Sequence, residues 1–360
     1  MKTETNIDLT SLPVSFQEGT TAWSSPSNIA LVKYWGKYDN QIPANPSISI
    51  TLSECHTKTE ISWKKSNSGQ FEIDFYFDGQ KNEAFGTKIK KFLEALPNRE
   101  YIKDLHITAH SSNTFPHSAG IASSASGMSA FVLCFLEMEK QVFGMHENEK
   151  EFYREASILS RLASGSASRS VYGGLASWGQ SSVIPGSSDL YATQYQGTLH
   201  ADFKNLQDSI IICDRGEKSV SSRAGHGLMK TNPYAQRRFE HAHENMAALL
   251  ESMRKGDWDK FAALVENEAL TLHGMMMMSY PWFILMKPKT IELLDVIKSY
   301  REKTGIRMCF TLDAGPNIHL IYPESEKTKV LEFLKNEVEK HLPENSIIFD
   351  KEGNGPQKLK

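Results

Sequence analysis

The sequence predicts an α+β protein built as two domains. Strand-like and helix-like stretches occur in both halves, without the strict strand–helix alternation that a doubly wound parallel sheet requires. The 360 residues exceed the ordinary span of one domain, roughly 100–200 residues. Composition changes near residues 200–208, which divides the chain into 1–205 and 206–360.

The elements follow in order. Residues 1–20 are polar and read as irregular. An apolar–basic segment covers 27–37 and leads into a loop with Pro43, Asn45 and Pro46. Alternation over 47–53 predicts a strand, and 57–64 and 71–77 predict two more, the last closed by Asp78-Gly79. Residues 84–96 form an amphipathic helix and 105–109 a short strand. A loop of small residues, 111–126, enters an apolar helix over 127–143. Asn148 caps a further helix ending at Ser164. A second small-residue loop, 164–174, precedes strands at 176–178 and 190–194. The second half opens with a strand at 209–213 and continues with helices over 234–255, 257–276 and 290–304. Strands follow at 307–312 and 318–322, then a helix over 326–341 and a last strand at 346–349. The tail after Lys351 reads as frayed.

Composition excludes several classes of function. The net charge is −3 and no basic stripe is present, which argues against a nucleic-acid binder. No run of about 18 apolar residues offers a membrane span, and the amino terminus lacks the apolar core of a signal peptide. Cys55, Cys134, Cys213 and Cys309 are far apart and form neither a zinc knuckle nor a redox pair. Their use fits a reducing compartment, hence the cytoplasm. Together these features predict a soluble protein, in which basic residues of a site could still serve an anionic small molecule.

Five segments carry the chemistry. Pro116-His117-Ser118-Ala119-Gly120-Ile121-Ala122-Ser123-Ser124-Ala125-Ser126-Gly127 combines small residues with a following helix, whose first N–H groups and positive dipole end suit a phosphate. It is not a P-loop, because the Gly-Lys-Ser/Thr ending is missing; the plainer alternative is a tight cap on a core helix. Ser164-Gly165-Ser166-Ala167-Ser168-Arg169-Ser170 sets one guanidinium among hydroxyls, where it can fork onto a carboxylate or phosphate. The alternative is a solvated surface arginine. Thr311-Leu312-Asp313-Ala314-Gly315-Pro316-Asn317 puts an acid at a strand end; it is equally turn chemistry. Lys33-Tyr34-Trp35-Gly36-Lys37 offers two ammonium groups and a phenol to an anion, or snorkelling lysines on a half-buried element. Residues 218–225, with Ser222 and Arg223, form an anion site or a polar loop. The four methionines at 275–278 and the isolated His273 and His319 read as core or surface residues rather than ligands.

Taken in this order, over roughly residues 25–322, the segments resemble the diphosphomevalonate decarboxylases, which share a superfamily with galactokinase, homoserine kinase, mevalonate kinase and phosphomevalonate kinase. The resemblance implies a small-molecule-kinase-like fold: a ribosomal-protein-like amino-terminal domain and a ferredoxin-like carboxy-terminal domain around a central cleft, in a homodimer. It implies ATP as co-substrate, Mg²⁺ held mainly through phosphates, and conversion of (R)-5-diphosphomevalonate to isopentenyl diphosphate in the mevalonate pathway. By the same resemblance Asp313, Arg169 and Lys33 are the catalytic residues. Tyr34, Lys37, Ser164, Ser166, Arg169, Ser222 and Arg223 bind substrate, and Asn113, Gly120, Ala122, Ser123, Ser124 and Ser126 bind ATP. His117, Ser118, Asp74 and His226 depart from the family pattern; a methionine is common in place of His226. A sister enzyme acting on mevalonate 5-phosphate or another mevalonate ester, a 3-kinase that stops at phosphorylation, and an inactive binding module are the other readings.

Overall fold

The computed structural model describes residues 7–116, 121–216 and 222–360, the side chains of 222–224 excepted. Its first half contains β1 (Gly19–Val32), β2 (Ser47–Lys65), β3 (Glu72–Phe77), β4 (Gln80–Lys81), α1 (Glu83–Glu94), β5 (Leu105–Asn113), α2 (Ser123–Phe143), α3 (Glu149–Ala163), β6 (Leu175–Trp178) and β7 (Thr193–Gln194). The second half contains β8 (Gln207–Ile211), α4 (Ser222–Leu228), α5 (Ala235–Lys255), α6 (Trp258–Met277), α7 (Pro288–Thr304), β9 (Cys309–Leu312), β10 (Ile318–Tyr322), α8 (Lys327–Phe333), β11 (Ile347–Lys351) and β12 (Gln357–Leu359). The architecture is α+β, as the sequence predicts.

The larger sheet runs β12-β1-β2-β5-β3-β4, with β6 on β2 and β7 on β6. One long strand, β2, replaces the two that the sequence suggests. Its burial explains the difference. Residues 47–52 are covered on both faces, whereas 57–65 alternate between buried and exposed. The hydrophobic period therefore changes within a single strand. Helix α2 lies across β1 and β2, and α3 packs against α2; Phe131, Val132, Phe135 and Leu136 are fully buried there with Ile61, Ile107 and Leu159. Asn148 caps α3 as predicted, accepting the Glu151 amide at 3.1 Å.

The smaller sheet is fully antiparallel in the order β11-β8-β10-β9. In chain order this places the fourth strand beside the first and the third between first and second, the split β-α-β pattern. One face meets α7 and α8 through Ile211, Leu320, Leu293 and Phe333. The other joins a core shared with β1 and β2, in which Ile29, Leu31 and Ile48 meet Ile210, Ile321, Met246 and Phe261. The two sheets are thus joined by apolar packing.

Two expectations are corrected. The helix predicted over 326–341 breaks after Phe333 into a wide π turn, Leu334–Val338, and a 3-10 turn, Glu339–His341. This path brings both Leu334 and Val338 into the core. The tail is not frayed. Gly353 bonds Thr51 O and receives the Gly174 amide, both at 2.8 Å, and β12 then pairs antiparallel with β1 from Ala22↔Leu359 to Ser24↔Gln357. Backbone pairing on an open sheet edge needs no apolar pattern, so the sequence gives no sign of it. The first described residues are also anchored, with Leu9, Leu12 and Phe16 packed on the first core. Among the described residues no helix is long and apolar enough to cross a membrane.

Candidate functional site

The site begins where β1 ends. A register shift between Ala30 and Val32 interrupts its pairing with β2, just before Lys33. The Lys33 ammonium, 2% exposed, donates to Ala30 O at 2.6 Å and to Asp313 Oδ1 at 3.3 Å. Thr311 of β9 also donates to Ala30 O, so the two sheets touch at this carbonyl. Asp313 follows β9, and its backbone oxygen lies 3.1 Å from Nε2 of the buried His273 on α6. The Asp313 side chain is 30% exposed, so the acid faces outward with the lysine behind it. Burial lowers the Lys33 pKa, while the charges of Asp313 and Glu268 oppose that shift.

Arg169 closes the 3-10 turn Gly165–Arg169 and is buried. Its Nε donates to Asn28 Oδ1 at 3.3 Å and its NH1 to Ser47 Oγ at 2.5 Å, and the guanidinium lies 6.0 Å from the Trp178 ring centre. Asn28 is itself fixed by its amide bonds to Ser170 Oγ and Ser166 O. Burial pulls the guanidinium down to about 10, opposed first by the charge of Asp313. Arg169 thus stays cationic at neutral pH and within electrostatic reach of Asp313.

The Lys33–Lys37 segment lines the adjoining wall. The Tyr34 ring sits 4.7 Å from Trp178 and 4.2 Å from His226. Its buried hydroxyl has no hydrogen-bond partner, and burial raises its pKa. A Cβ at Gly165 would come within 2.9 Å of that oxygen, so glycine is required there. Nδ1 of His226 accepts the Gly36 amide at 3.0 Å, and Lys37 bonds Gln41 Oε1 at 2.7 Å. Beyond lies a cavity of about 550 Å³ whose lining includes four lysines, Lys37, Lys88, Lys91 and Lys230, and one acid, Asp39. Sequence reasoning missed Lys88, Lys91 and Lys230. The available signal was the i,i+3 spacing of Lys88 and Lys91, which shares one face of α1.

At the start of α2 the backbone of Ala122 is left-handed, at φ 41°, and no side chain caps the helix. Ser123 is partly exposed and Ser124 exposed. Ser126, expected to contact ATP, is instead fully buried and bonded to Thr57 Oγ1 at 2.6 Å and Ser123 O at 3.3 Å; its hydroxyl is engaged within the fold. Thr57 also donates to Asn113 Oδ1 at 2.7 Å, while Asn113 Nδ2 is buried without a partner. Gly120, His117 and Ser118 lie outside the described residues, as do the side chains of Ser222 and Arg223, whose backbone opens α4. Asp74 stands apart on β3, paired with Lys81 at 2.8 Å and His106 at 3.0 Å. Among the described residues no group of three or more His, Cys, Asp or Glu side chains could hold a metal ion.

This arrangement unites an outward acid, two buried cations and a lysine-rich cavity. It can bind an anionic molecule, hold one of its hydroxyls against a carboxylate and stabilise a carboxylate beside it. Two family models match the chain: the diphosphomevalonate decarboxylase-like N-terminal domain over residues 25–192 and the mevalonate 5-diphosphate decarboxylase C-terminal domain over 209–358. A diphosphomevalonate decarboxylase from Candida albicans is 28% identical over 326 residues, covering 86% of each chain. The mevalonate diphosphate decarboxylase structure from Staphylococcus aureus is 28% identical with a TM-score of 0.80, covering 96% of this chain and 99% of its own. The structure of MDDEF in complex with MVAPP, AMPPCP and magnesium is 26% identical with a TM-score of 0.81, covering 96% of this chain and 100% of its own.

Proposed function

Because the chain belongs to the diphosphomevalonate decarboxylase family, we propose that it converts (R)-5-diphosphomevalonate and ATP to isopentenyl diphosphate, ADP, phosphate and carbon dioxide. The observation that carries this reading is the Lys33–Asp313 ion pair at the seam between the two sheets, with the buried Arg169 close enough to feel the Asp313 charge.

The chemistry assigns each group a task. The tertiary 3-hydroxyl of the substrate is a poor leaving group until it receives the γ-phosphoryl of ATP. Asp313 orients that hydroxyl and accepts its proton. Lys33 keeps the carboxyl ionised, since a neighbouring cation favours the charged form. Departure of phosphate leaves positive charge developing at C3. The C1–C2 bonding electrons then form the alkene and carbon dioxide leaves. Arg169 holds the C1 carboxylate with its planar donor set. Tyr34, Lys37, Ser164, Ser166, Ser222 and Arg223 hold the diphosphate, joined by Lys88, Lys91 and Lys230 of the lysine-rich cavity.

The uncapped start of α2 fits the ATP phosphates, because the first N–H groups of a helix attract anions. Ser123, Ser124 and the backbone of Ala122 bind there, with Gly120 the further contact that the family resemblance implies. The orphaned Asn113 amide supplies a further donor, and Ser126 braces the turn. Mg²⁺ would be held mainly by the ATP phosphates rather than by a cluster of protein side chains, and would supply neutralisation of their charge. The family resemblance also supports a homodimer in the cytoplasm, which sedimentation velocity and cell fractionation test.

The deciding experiment measures ADP and carbon dioxide release with mevalonate, its 5-phosphate and its 5-diphosphate. We expect equimolar release with the diphosphate alone. Carbon dioxide release only from the monophosphate would overturn the substrate assignment. ADP release without carbon dioxide would leave a 3-kinase, and no turnover of any ester would leave a binding module.

A further inference from the structure

The geometry points to Glu268 and Arg238 as positioning residues that hold Lys33 against Asp313. Both lie on helices of the second half, Glu268 on α6 and Arg238 on α5. Both are almost fully buried and meet at 2.6 Å. Each also grips the peptide groups of Lys33: Glu268 Oε2 accepts the Lys33 amide at 2.8 Å, and Arg238 NH2 donates to Lys33 O at 3.3 Å. Asn45 donates to the same oxygen at 2.9 Å, and Asn245 holds the other Glu268 oxygen at 2.6 Å. The residue is therefore gripped on its amide and its carbonyl while its ammonium extends to Asp313.

Stability alone does not explain this pair. A buried ion pair is often no more stabilising than apolar residues of the same volume, because both charges lose their hydration. Here Nε and NH1 of Arg238 are buried without partners, which adds to the cost. What the pair achieves is placement. It ties the end of β1, where strand pairing has already slipped, to α5 and α6. Since α6 also carries His273, bonded to the Asp313 backbone, one helix fixes both members of the Lys33–Asp313 pair.

The groups facing Lys33 are Asp313 after β9, Glu268 and His273 of α6, Arg238 of α5, Arg169 of the 3-10 turn and Asp208 of β8. Within this set Glu268 favours the protonated amine. Removing its charge moves deprotonation of Lys33 to lower pH.

The inference rests on the decarboxylase reading, and its test separates the two. Glu268→Gln and the double variant Arg238→Met/Glu268→Gln are compared with the wild-type protein for kcat, KM, pH–rate profile and melting temperature. Rates are referred to the folded fraction seen by circular dichroism. The glutamine retains an acceptor for the Lys33 amide, and the double variant leaves no unpaired buried charge. We expect kcat to fall about tenfold to a hundredfold, as a displacement near 1 Å would produce. KM for diphosphomevalonate should change by less than about threefold, and the alkaline limb of kcat should move to lower pH. Unchanged kcat and pH profile per folded molecule would overturn the assignment. If the wild-type protein turns over no substrate, the decarboxylase reading fails instead. Competitive amine labelling then decides, and a Lys33 midpoint that does not shift in Glu268→Gln overturns the placement.

Discussion

His226 is a titratable ring held where a charge is poorly tolerated. It is 8% exposed, packed at a tilt against the rings of Tyr34 and Trp35, and its Nδ1 accepts the Gly36 amide. The neutral ring therefore carries its proton on Nε2. Protonating Nδ1 would remove the acceptor that holds Gly36 and would bury a cation beside others. Burial first, then Lys37 and Arg169, push its pKa down from 6.5 to about 3. In the unfolded chain the ring titrates near the ordinary value. As pH falls through the interval between the two, the unfolded state takes up a proton that the native state refuses, so stability falls. The full interval amounts to about 5 kcal/mol, of which about 2 kcal/mol is lost between pH 7 and 5. His273, buried and pulled down to about 4, adds a similar loss over the same range. Together they remove about 4 kcal/mol, a large part of an ordinary folding stability.

The perturbation is His226→Met, and the assay is urea unfolding at pH 7 and pH 5. At pH 7 the variant should be less stable by about 1–3 kcal/mol, because the Gly36 amide loses its acceptor. At pH 5 it has escaped the proton penalty, so its stability should have dropped by about 2 kcal/mol less than the wild type's. The two proteins should nearly converge. Parallel losses in the two proteins would refute the claim that His226 is kept neutral by its surroundings.

Three further outcomes are expected. Asp313→Asn keeps the size of the side chain but cannot take the proton, so kcat should fall by about 10²- to 10⁴-fold with ATP affinity retained by calorimetry; near-normal turnover would remove its role. The four thiols are buried or half-buried and burial raises each of them, Cys213 to about 12. A disulfide reagent at pH 7.5 should find them only after unfolding, and rapid labelling of the native protein would contradict this. Deleting residues 354–360 removes β12 and the close approach of Asn354 to Gly173, where a Cβ would meet backbone at 2.4 Å. At about 1 kcal/mol for each lost backbone bond, calorimetry should show a melting temperature lower by several degrees. An unchanged transition would mean that the strand contributes nothing.

The parts of this site that are legible in the sequence are local. Lys33-Tyr-Trp-Gly-Lys37, Ser164–Ser170 and Asp313–Asn317 each announce an unusual turn through small or cyclic residues, and helices such as α3 carry their own caps. What the pattern could not give is pairing at a distance. Asp313 is 280 positions from Lys33, and Glu268 is 235 positions away. In its helix Glu268 looks like any surface acid, since nothing nearby marks the residue as buried. Arg238 is hidden in the same way among the charged residues of α5. The serines of the α2 turn mislead in the other direction. Their composition suits a phosphate throughout, yet Ser126 lies one turn into the helix and faces β2. Ser123 and Ser126 share one helix face, but Ser123 opens the helix and is partly exposed, whereas Ser126, one turn deeper, is covered by Thr57 of β2.

The same geometry explains why an acid and a lysine can work together here without cancelling each other. A pair fully exposed to water would interact weakly, and one fully buried would be locked together at high cost. In this protein the two partners are unequally buried: Lys33 is 2% exposed and Asp313 is 30% exposed. The lysine is immobilised by its backbone, by Ala30 O and by the Glu268 clamp, so its charge acts on the carboxyl from a fixed position. The acid stays partly exposed, and in the proposed reaction that exposed side meets the substrate hydroxyl. Phosphoryl transfer needs positioning and charge neutralisation more than bond-making by the protein. In the proposed reaction, a fixed cation behind a partly exposed carboxylate would supply both. Placing the pair where two sheets meet lets each sheet hold one member rigidly, and neither half of the chain could form the pair alone.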